Sequence, residues 1–339
     1  MNWQAQYGVE VWELTYRTVD PHGMPTSATG IAVLPIDPGE PVPLVSYHHG
    51  TVVEKNGAPS GQDLEGWAVG LAYASTGYAA AMPDFLGLGG GEGLHPYQHA
   101  RSEATACVDM LRACRALAAQ EHLPLSDQLF LMGYSQGGHV TLAVQRELET
   151  FHADEFTVTA SAPMAGAYDM SGVMFNDFLS GREVPNPYYY GYLLAAYQDV
   201  YGLTNSLASY LRPPYDTTLP PMFDGRHSGS EINSAMPADP SQVLKPEVLA
   251  ALRADPLHPL RQALRDNDLL DWTPRAPVRL FHCSGDQDVL YANSVVALES
   301  FQARGADVQL INPLPGADHG GCVLPSMLAA KAWFDLLRH

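Results

Sequence analysis

Apolar and polar residues alternate from Val9 to Thr18 and again from Ser27 to Leu34, with the turn signal Pro21-His22-Gly23 between them. That period of two predicts two half-buried strands. A short apolar run, Pro43 to Tyr47, predicts a buried strand that ends in His48-His49-Gly50-Thr51. Asp63 to Ser75 reads as a helix stopping near Gly77, and Ala79 to Met82 as another buried strand running into Pro83-Asp84 and a glycine-rich turn. Ala104, Cys107, Val108, Leu111, Cys114 and Ala118 recur at helical spacing. Gln128 to Met132 then predicts a buried strand, Gly133 to Gly138 a turn, and the stretch to about Glu149 a helix with Val140, Ala143, Val144 and Leu148 on one face. Phe156 to Ala162 is strand-like again. Such alternation predicts parallel βαβ units and an α/β fold with a doubly wound, mostly parallel sheet.

The rhythm breaks after about Tyr168 and resumes near Pro277. Between them lies a stretch rich in Tyr, Leu, Pro and Ala, punctuated by Pro213-Pro214, Pro220-Pro221 and Pro240. It predicts a helical insertion with long loops. Strands at Val278–His282 and Val308–Ile311 and helices at Ala292–Arg304 and Pro325–Leu337 follow. The expected organisation is therefore a core in two parts, 1–167 and 278–339, with a cap from 168 to 277. A cap inserted before the last two strands would sit over the carboxyl ends of the sheet, where open α/β sheets bind ligands. The run Tyr188-Tyr189-Tyr190-Gly191-Tyr192-Leu193-Leu194 would pack that cap, wall a substrate pocket, or do both.

Gly133-Tyr134-Ser135-Gln136-Gly137 fits G-x-S-x-G, with a buried strand before it and a helix after it. In that setting a serine sits on a sharp strand-to-helix turn, and side chains two positions either side would collide with their surroundings. Ser135 is thus the candidate nucleophile. A serine hydroxyl is inert at neutral pH without a base, and the base should follow the last strand. His319, in Asp318-His319-Gly320-Gly321, is expected in a loop before the closing helix. The acid should leave the preceding strand, in Ser284-Gly285-Asp286-Gln287-Asp288. Asp286 is favoured because the first loop position reaches the imidazole more directly, and Asp288 is the alternative. Two main-chain N–H groups would hold an oxyanion, that of Gln136 and that of Thr51 in the His49-Gly50-Thr51 loop.

With these residues in place the chain resembles an α/β-hydrolase, and within that superfamily it is most similar to the secretory-lipase-like esterases. The similarity covers roughly residues 25 to 335. It rests on the His48-His49-Gly50-Thr51 loop, Pro83 to Gly89, Gly93-Leu94-His95-Pro96-Tyr97, the Gly133 to Gly138 elbow, Gly285-Asp286 and Asp318-His319-Gly320, in this order. The resemblance implies a carboxylic-ester hydrolase with Ser135, Asp286 and His319 as its triad, a small-molecule ester substrate, and no metal or organic cofactor. Leu290 departs from the pattern, since many members carry proline there, which loosens the register of the acid loop. A serine peptidase on the same fold and a ligand-binding homologue without catalysis are the rival readings.

Composition trims the alternatives. The 339 residues carry 18 basic and 37 acidic side chains, a formal charge of −19, which disfavours nucleic acid and anionic membranes as partners. No apolar run reaches the roughly 18 residues of a membrane span, and Met1-Asn2-Trp3-Gln4 lacks the features of a secretory signal. His95 and His99 have helical spacing for a metal pair, but Pro96 makes a helix through residue 95 unfavourable. They are expected to brace the loop or cap the helix beginning near Ala100. Asp84 is expected to tie the glycine turn through backbone amides. Cys107 and Cys114 lie about 10.5 Å apart along one helix, beyond disulfide reach, and read as core thiols. Cys283 and Cys322 flank the acid and base loops, on what should be adjacent strands, and could bridge; a bridge would point to an oxidising compartment.

Overall fold

A computed structural model describes residues 4–61 and 63–339. Residues 1–3, on which the reading of the N-terminus largely rests, lie outside the described residues. Eight strands form one sheet: β1 (Val9–Val19), β2 (Pro25–Pro35), β3 (Val42–His48), β4 (Ala79–Pro83), β5 (Leu125–Tyr134), β6 (Val158–Met164), β7 (Val278–Phe281) and β8 (Val308–Ile311). Their order is β1-β2-β4-β3-β5-β6-β7-β8. β1 pairs antiparallel with β2, and β2 with β4; every other neighbour is parallel. The fold is the α/β architecture that the alternation predicts.

Helices α1 (Leu64–Ala74), α2 (Ala100–Gln120) and α3 (Gln136–Phe151) alternate with the first strands, and α10 (Ala292–Ala303) and α11 (His319–Leu337) with the last. Between β6 and β7 come α4 (Phe175–Ser180), α5 (Tyr188–Tyr201), α6 (Tyr215–Thr218), α7 (Gly229–Ser234), α8 (Pro246–Ala254) and α9 (Pro259–Asp266).

The sheet is buried on both faces. Along β5, Leu129 and Leu131 enter one apolar cluster while Phe130 and Met132 enter another. Along β4, Ala79 and Ala81 divide from Ala80 and Met82 in the same way. The period of two thus persists although both sides are apolar, as expected for central parallel strands. Cys107 and Leu111 of α2 and Val140 and Val144 of α3 cover the first face. Val69 and Tyr73 of α1 and Ala330 and Phe334 of α11 cover the second.

The segment between β6 and β7 has a core of its own, in which rings such as Phe175, Tyr192 and Tyr197 pack among leucines such as Leu211, Leu252 and Leu264. Its only β pairing among the described residues is the single bridge Leu211–Leu244. The two ends of the segment meet. The Leu269 N–H donates to the Tyr168 carbonyl at 3.0 Å, and Ser171 donates through N–H and hydroxyl to the Asp268 carboxylate at 2.9 and 2.6 Å.

One boundary departs from expectation. The closing helix starts at His319, not at Pro325, which lies inside it. Asp318 caps the helix by accepting from the Gly321 N–H at 2.7 Å. Pro325 withholds a hydrogen bond from the Gly321 carbonyl, but Gly321 is exposed and water can serve it.

Candidate active site

Ser135 occupies the turn between β5 and α3 with φ +59° and ψ −119°, a region an L-residue adopts only under constraint. The flanking glycines explain how the turn fits. A Cβ on Gly137 would lie 1.9 Å from the His48 carbonyl oxygen, and one on Gly133 would lie 2.4 Å from the Gly137 oxygen and 2.5 Å from that of His48. Only bare backbone passes there.

The Ser135 hydroxyl stands 2.8 Å from His319 Nε2, and His319 Nδ1 stands 2.5 Å from Asp286 Oδ2. The three side chains come from the ends of β5, α11 and β7, over 184 residues of sequence between Ser135 and His319. His319 is the first residue of α11 rather than a loop residue, so helix geometry fixes its Cα–Cβ direction. Tyr134 adds a clamp by donating its hydroxyl to the His319 carbonyl at 2.6 Å.

Asp286 Oδ1 accepts the main-chain N–H groups of Asp288 and Val289, both at 2.9 Å. Burial alone would raise its carboxyl, but the hydrogen bonds from His282 and His319 outweigh it and hold the group well below the usual carboxylate range. Both oxygens of Asp288 accept from Asn186 Nδ2 at 3.0 Å. Burial raises its carboxyl.

Gln136 opens α3, and Thr51 lies in the loop after β3. A Cβ on Gly50 would sit 3.8 Å from that of Ser135, which brings this loop against the elbow. Thr51 Oγ1 and the Tyr97 hydroxyl are 2.9 Å apart.

Beneath the elbow lies a buried polar network that sequence reasoning missed. Gln136 Nε2 donates to Glu103 Oε1 at 2.7 Å and to His95 Nε2 at 2.6 Å. Glu103 Oε2 faces His139 Nδ1 at 3.2 Å, and His139 Nε2 donates to the Asn267 carbonyl at 3.1 Å. Burial raises the Glu103 carboxyl, but the His139 hydrogen bond and charge, with help from His95 and Gln136, bring it below its ordinary value. The available signal was a carboxylate on the apolar stripe of α2, next to Ala104 and Cys107. Its partners sit far along the chain, where no spacing rule applies.

His95 braces the glycine turn: its Nδ1–H donates to the Leu86 carbonyl at 2.8 Å, and burial lowers its titration to about 4. His99 is the residue before α2, and its ring meets the Ser102 hydroxyl at 2.8 Å instead of capping the helix. Among the described residues no group of three His, Cys, Asp or Glu side chains is placed to hold a metal. Asp84 behaves differently from expectation. It accepts from the hydroxyls of Thr29 and Ser60, both at 2.5 Å, and from one amide, that of Ser60, at 2.8 Å. Among the described residues it reaches the glycine turn through Thr29, whose hydroxyl accepts from the Gly90 N–H. Cys283 and Cys322 form a disulfide with Cα atoms 5.8 Å apart. Cys322 is on the first turn of α11, not on a strand. Cys107 and Cys114 remain buried thiols.

Ser135 opens into a cavity with about 760 Å³ of empty space, its open mouth included. Most of the wall comes from the segment between β6 and β7, including Met174, Phe178, Tyr190, Leu194 and Leu264. Tyr189 and Tyr190 face this cavity, whereas Tyr192 stacks on Tyr97 with ring centres 4.7 Å apart. The aromatic run therefore both packs the segment and lines the cavity.

No family model and no curated protein matches the sequence. Solved structures do. A Legionella pneumophila protein described as a hydrolase is 31% identical with a TM-score of 0.91, over 98% of this chain and 90% of that one. The rice cell wall degrading esterase LipA from Xanthomonas oryzae is 30% identical with a TM-score of 0.85, over 97% of this chain and 88% of that one. Candida antarctica lipase A in its closed state shares the fold at 18% identity, with a TM-score of 0.73 over 97% of this chain and 78% of that one. No helix among the described residues is long and apolar enough to cross a membrane.

Proposed function

The chain belongs to the α/β-hydrolase lipases and esterases, and from that premise we propose that it is a serine carboxylesterase working through an acyl-enzyme intermediate. The observation that carries the proposal is the unbroken row from Ser135 Oγ to His319 to Asp286, at 2.8 and 2.5 Å.

Ser135 Oγ attacks the ester carbonyl carbon while His319 Nε2 takes its proton. The carbonyl electron pair moves onto oxygen, and the Gln136 and Thr51 N–H groups receive that oxyanion. One such donor is typically worth about 2.7–4 kcal/mol. Collapse breaks the bond to the alcohol, which leaves with the proton from His319. Water, deprotonated by the same ring, then attacks the acyl-serine, and the acid departs as Ser135 regains its proton. Asp286 holds the imidazole tautomer and balances its transient charge.

Residues 168–277 act as the cap that shapes the acyl site. Their apolar wall favours an aliphatic or aromatic acyl group over a charged one. The Cys283–Cys322 disulfide favours an oxidising compartment.

The test is a series of p-nitrophenyl esters, acetate to palmitate, with aminoacyl-p-nitroanilides alongside, on wild type and Ser135→Ala. The proposal expects ester turnover that Ser135→Ala lowers by about 10⁴-fold or more. Turnover surviving in Ser135→Ala, or anilides outpacing esters, overturns it.

A further inference from the structure

A second histidine reaches the Asp286 carboxylate. His282, the residue directly after β7, is fully buried, and its Nε2 lies 3.2 Å from Asp286 Oδ2, the oxygen that also receives His319. The same Nε2 lies 2.9 Å from the Val289 carbonyl oxygen, and Nδ1 lies 2.8 Å from the Ser294 hydroxyl.

The partners dictate the tautomer. A carbonyl oxygen only accepts, so Nε2 carries the proton and shares it between Val289 and Asp286. Nδ1 then accepts from the Ser294 hydroxyl, at the start of α10. The Tyr291 ring meets the imidazole edge-on at 5.4 Å and blocks rotation.

Counting donors shows the consequence. Asp286 Oδ1 takes two main-chain N–H groups, and Oδ2 takes two imidazole N–H groups. A carboxylate offers about four lone-pair sites, so all are filled. Two neutral amides on Oδ1 and the His282 ring on Oδ2 draw electron density from the carboxylate that His319 needs.

We propose that His282 is a positioning residue that, as a neutral Nε2–H donor, fixes Asp286 and weakens its pull on the His319 proton. The inference rests on the reading of Asp286 as the acid of the catalytic row. A weaker pull leaves the resting His319 unprotonated to lower pH, so the base is ready over a wider range. Other groups that act on His319 stay constant in this comparison. They are the Ser135 hydroxyl, the Tyr134 ring at 5.1 Å, and the more distant carboxylates of Asp288 and Glu65.

The kcat/KM pH profile of wild type, His282→Leu and His282→Gln is the test. Gln retains an N–H near the position of Nε2, and Leu does not. In His282→Leu the acid limb is expected to move up by roughly half a pH unit or more, with kcat falling more than KM changes. His282→Gln should return the limb most of the way. A purely structural role would lower melting temperature without moving the limb, and an unmoved limb in an active His282→Leu overturns the proposal. Nitrogen-15 NMR of the histidines in the wild-type protein decides the matter even if His282→Leu does not fold. The proposal expects His282 protonated at Nε2 and bare at Nδ1 under the assay conditions, and the opposite tautomer or a doubly protonated ring overturns it. Ser135→Ala separates the two claims. If it stays active, the catalytic reading itself fails; if it is dead and the limb is fixed, only the role of His282 fails.

Discussion

The sheet with its flanking helices and the segment between β6 and β7 are packed by different means. Around the turn that carries Ser135, backbone meets backbone, as where Gly137 passes the His48 carbonyl. In the segment, side chains meet side chains: Tyr192 stacks between Tyr97 and Phe223, and Gly191 faces the sulfur of Met236. Backbone cannot yield, whereas a thioether can. The scaffold therefore holds Ser135, His319 and Asp286 in a fixed arrangement, while the segment shapes the space beside them. An enzyme needs the first to be rigid and can vary the second.

Two glycine substitutions press that contrast hardest. Gly137→Ala places a Cβ 1.9 Å from a main-chain oxygen. It should abolish soluble active protein or cost at least roughly 3 kcal/mol, read by urea unfolding. Gly191→Ala meets Met236 Sδ at 3.0 Å and Phe223 Cζ at 3.1 Å. Because α5 gains up to about 1 kcal/mol of helix propensity from the change, stability should stay within about 1 kcal/mol of wild type. Equal losses in both would erase the distinction.

The disulfide belongs to the scaffold side. It closes a loop with a sequence separation of 39, and loop-closure entropy of that length corresponds to about 4 kcal/mol at most. Cys283→Ala/Cys322→Ala should lower the melting temperature by several degrees and cut kcat through the acid and base loops. It should leave preference among ester chain lengths unchanged, since neither cysteine lines the cavity.

Acid should also act on the scaffold first. Burial lowers His48 to about 3 and His95 and His99 to about 4. The unfolded chain protonates these rings near pH 6.5, so below that pH it binds more protons than the native state. The stabilisation is complete above about pH 6.5 and is lost as pH falls towards 4, on the order of several kcal/mol in total. Unfolding midpoints measured from pH 7 to 4.5 check this, and a flat profile contradicts it.

The smallest change concerns substrate choice. Leu193 faces the cavity and is only partly buried. Leu193→Trp should reduce decanoate turnover about 10-fold relative to acetate, near 1.4 kcal/mol, with stability unchanged. Parallel losses on both esters would place the acyl chain elsewhere.

Legibility in the sequence follows the same divide. Local pattern sufficed for the alternating strands and for placing Ser135 on the turn between β5 and α3, because that turn needs Gly133 and Gly137 within five residues. It sufficed for the positions of Asp286 and His319 along the chain, because strand ends are local too. It failed at the start of α11, where an aspartate cap outweighed a proline signal. It failed for Glu103, His139 and Asn267, whose meaning comes from partners on other elements, and for His282, whose partners Asp286, Val289 and Ser294 are near in sequence but follow no spacing rule. The segment from 168 to 277 gave composition but no register, because its helices are short and separated by proline-rich loops.

The hydrogen-bonded stem formed by Tyr168, Ser171, Asp268 and Leu269 has a consequence of its own. Since the chain leaves and rejoins the sheet through neighbouring residues, much of what lies beyond that clasp is exchangeable, provided Asn267 keeps its place against His139 and the Ala100 N–H. Evolution or a protein engineer could graft a shorter, longer or unrelated module there without asking the sheet to reclose, and so redirect what is hydrolysed while inheriting how.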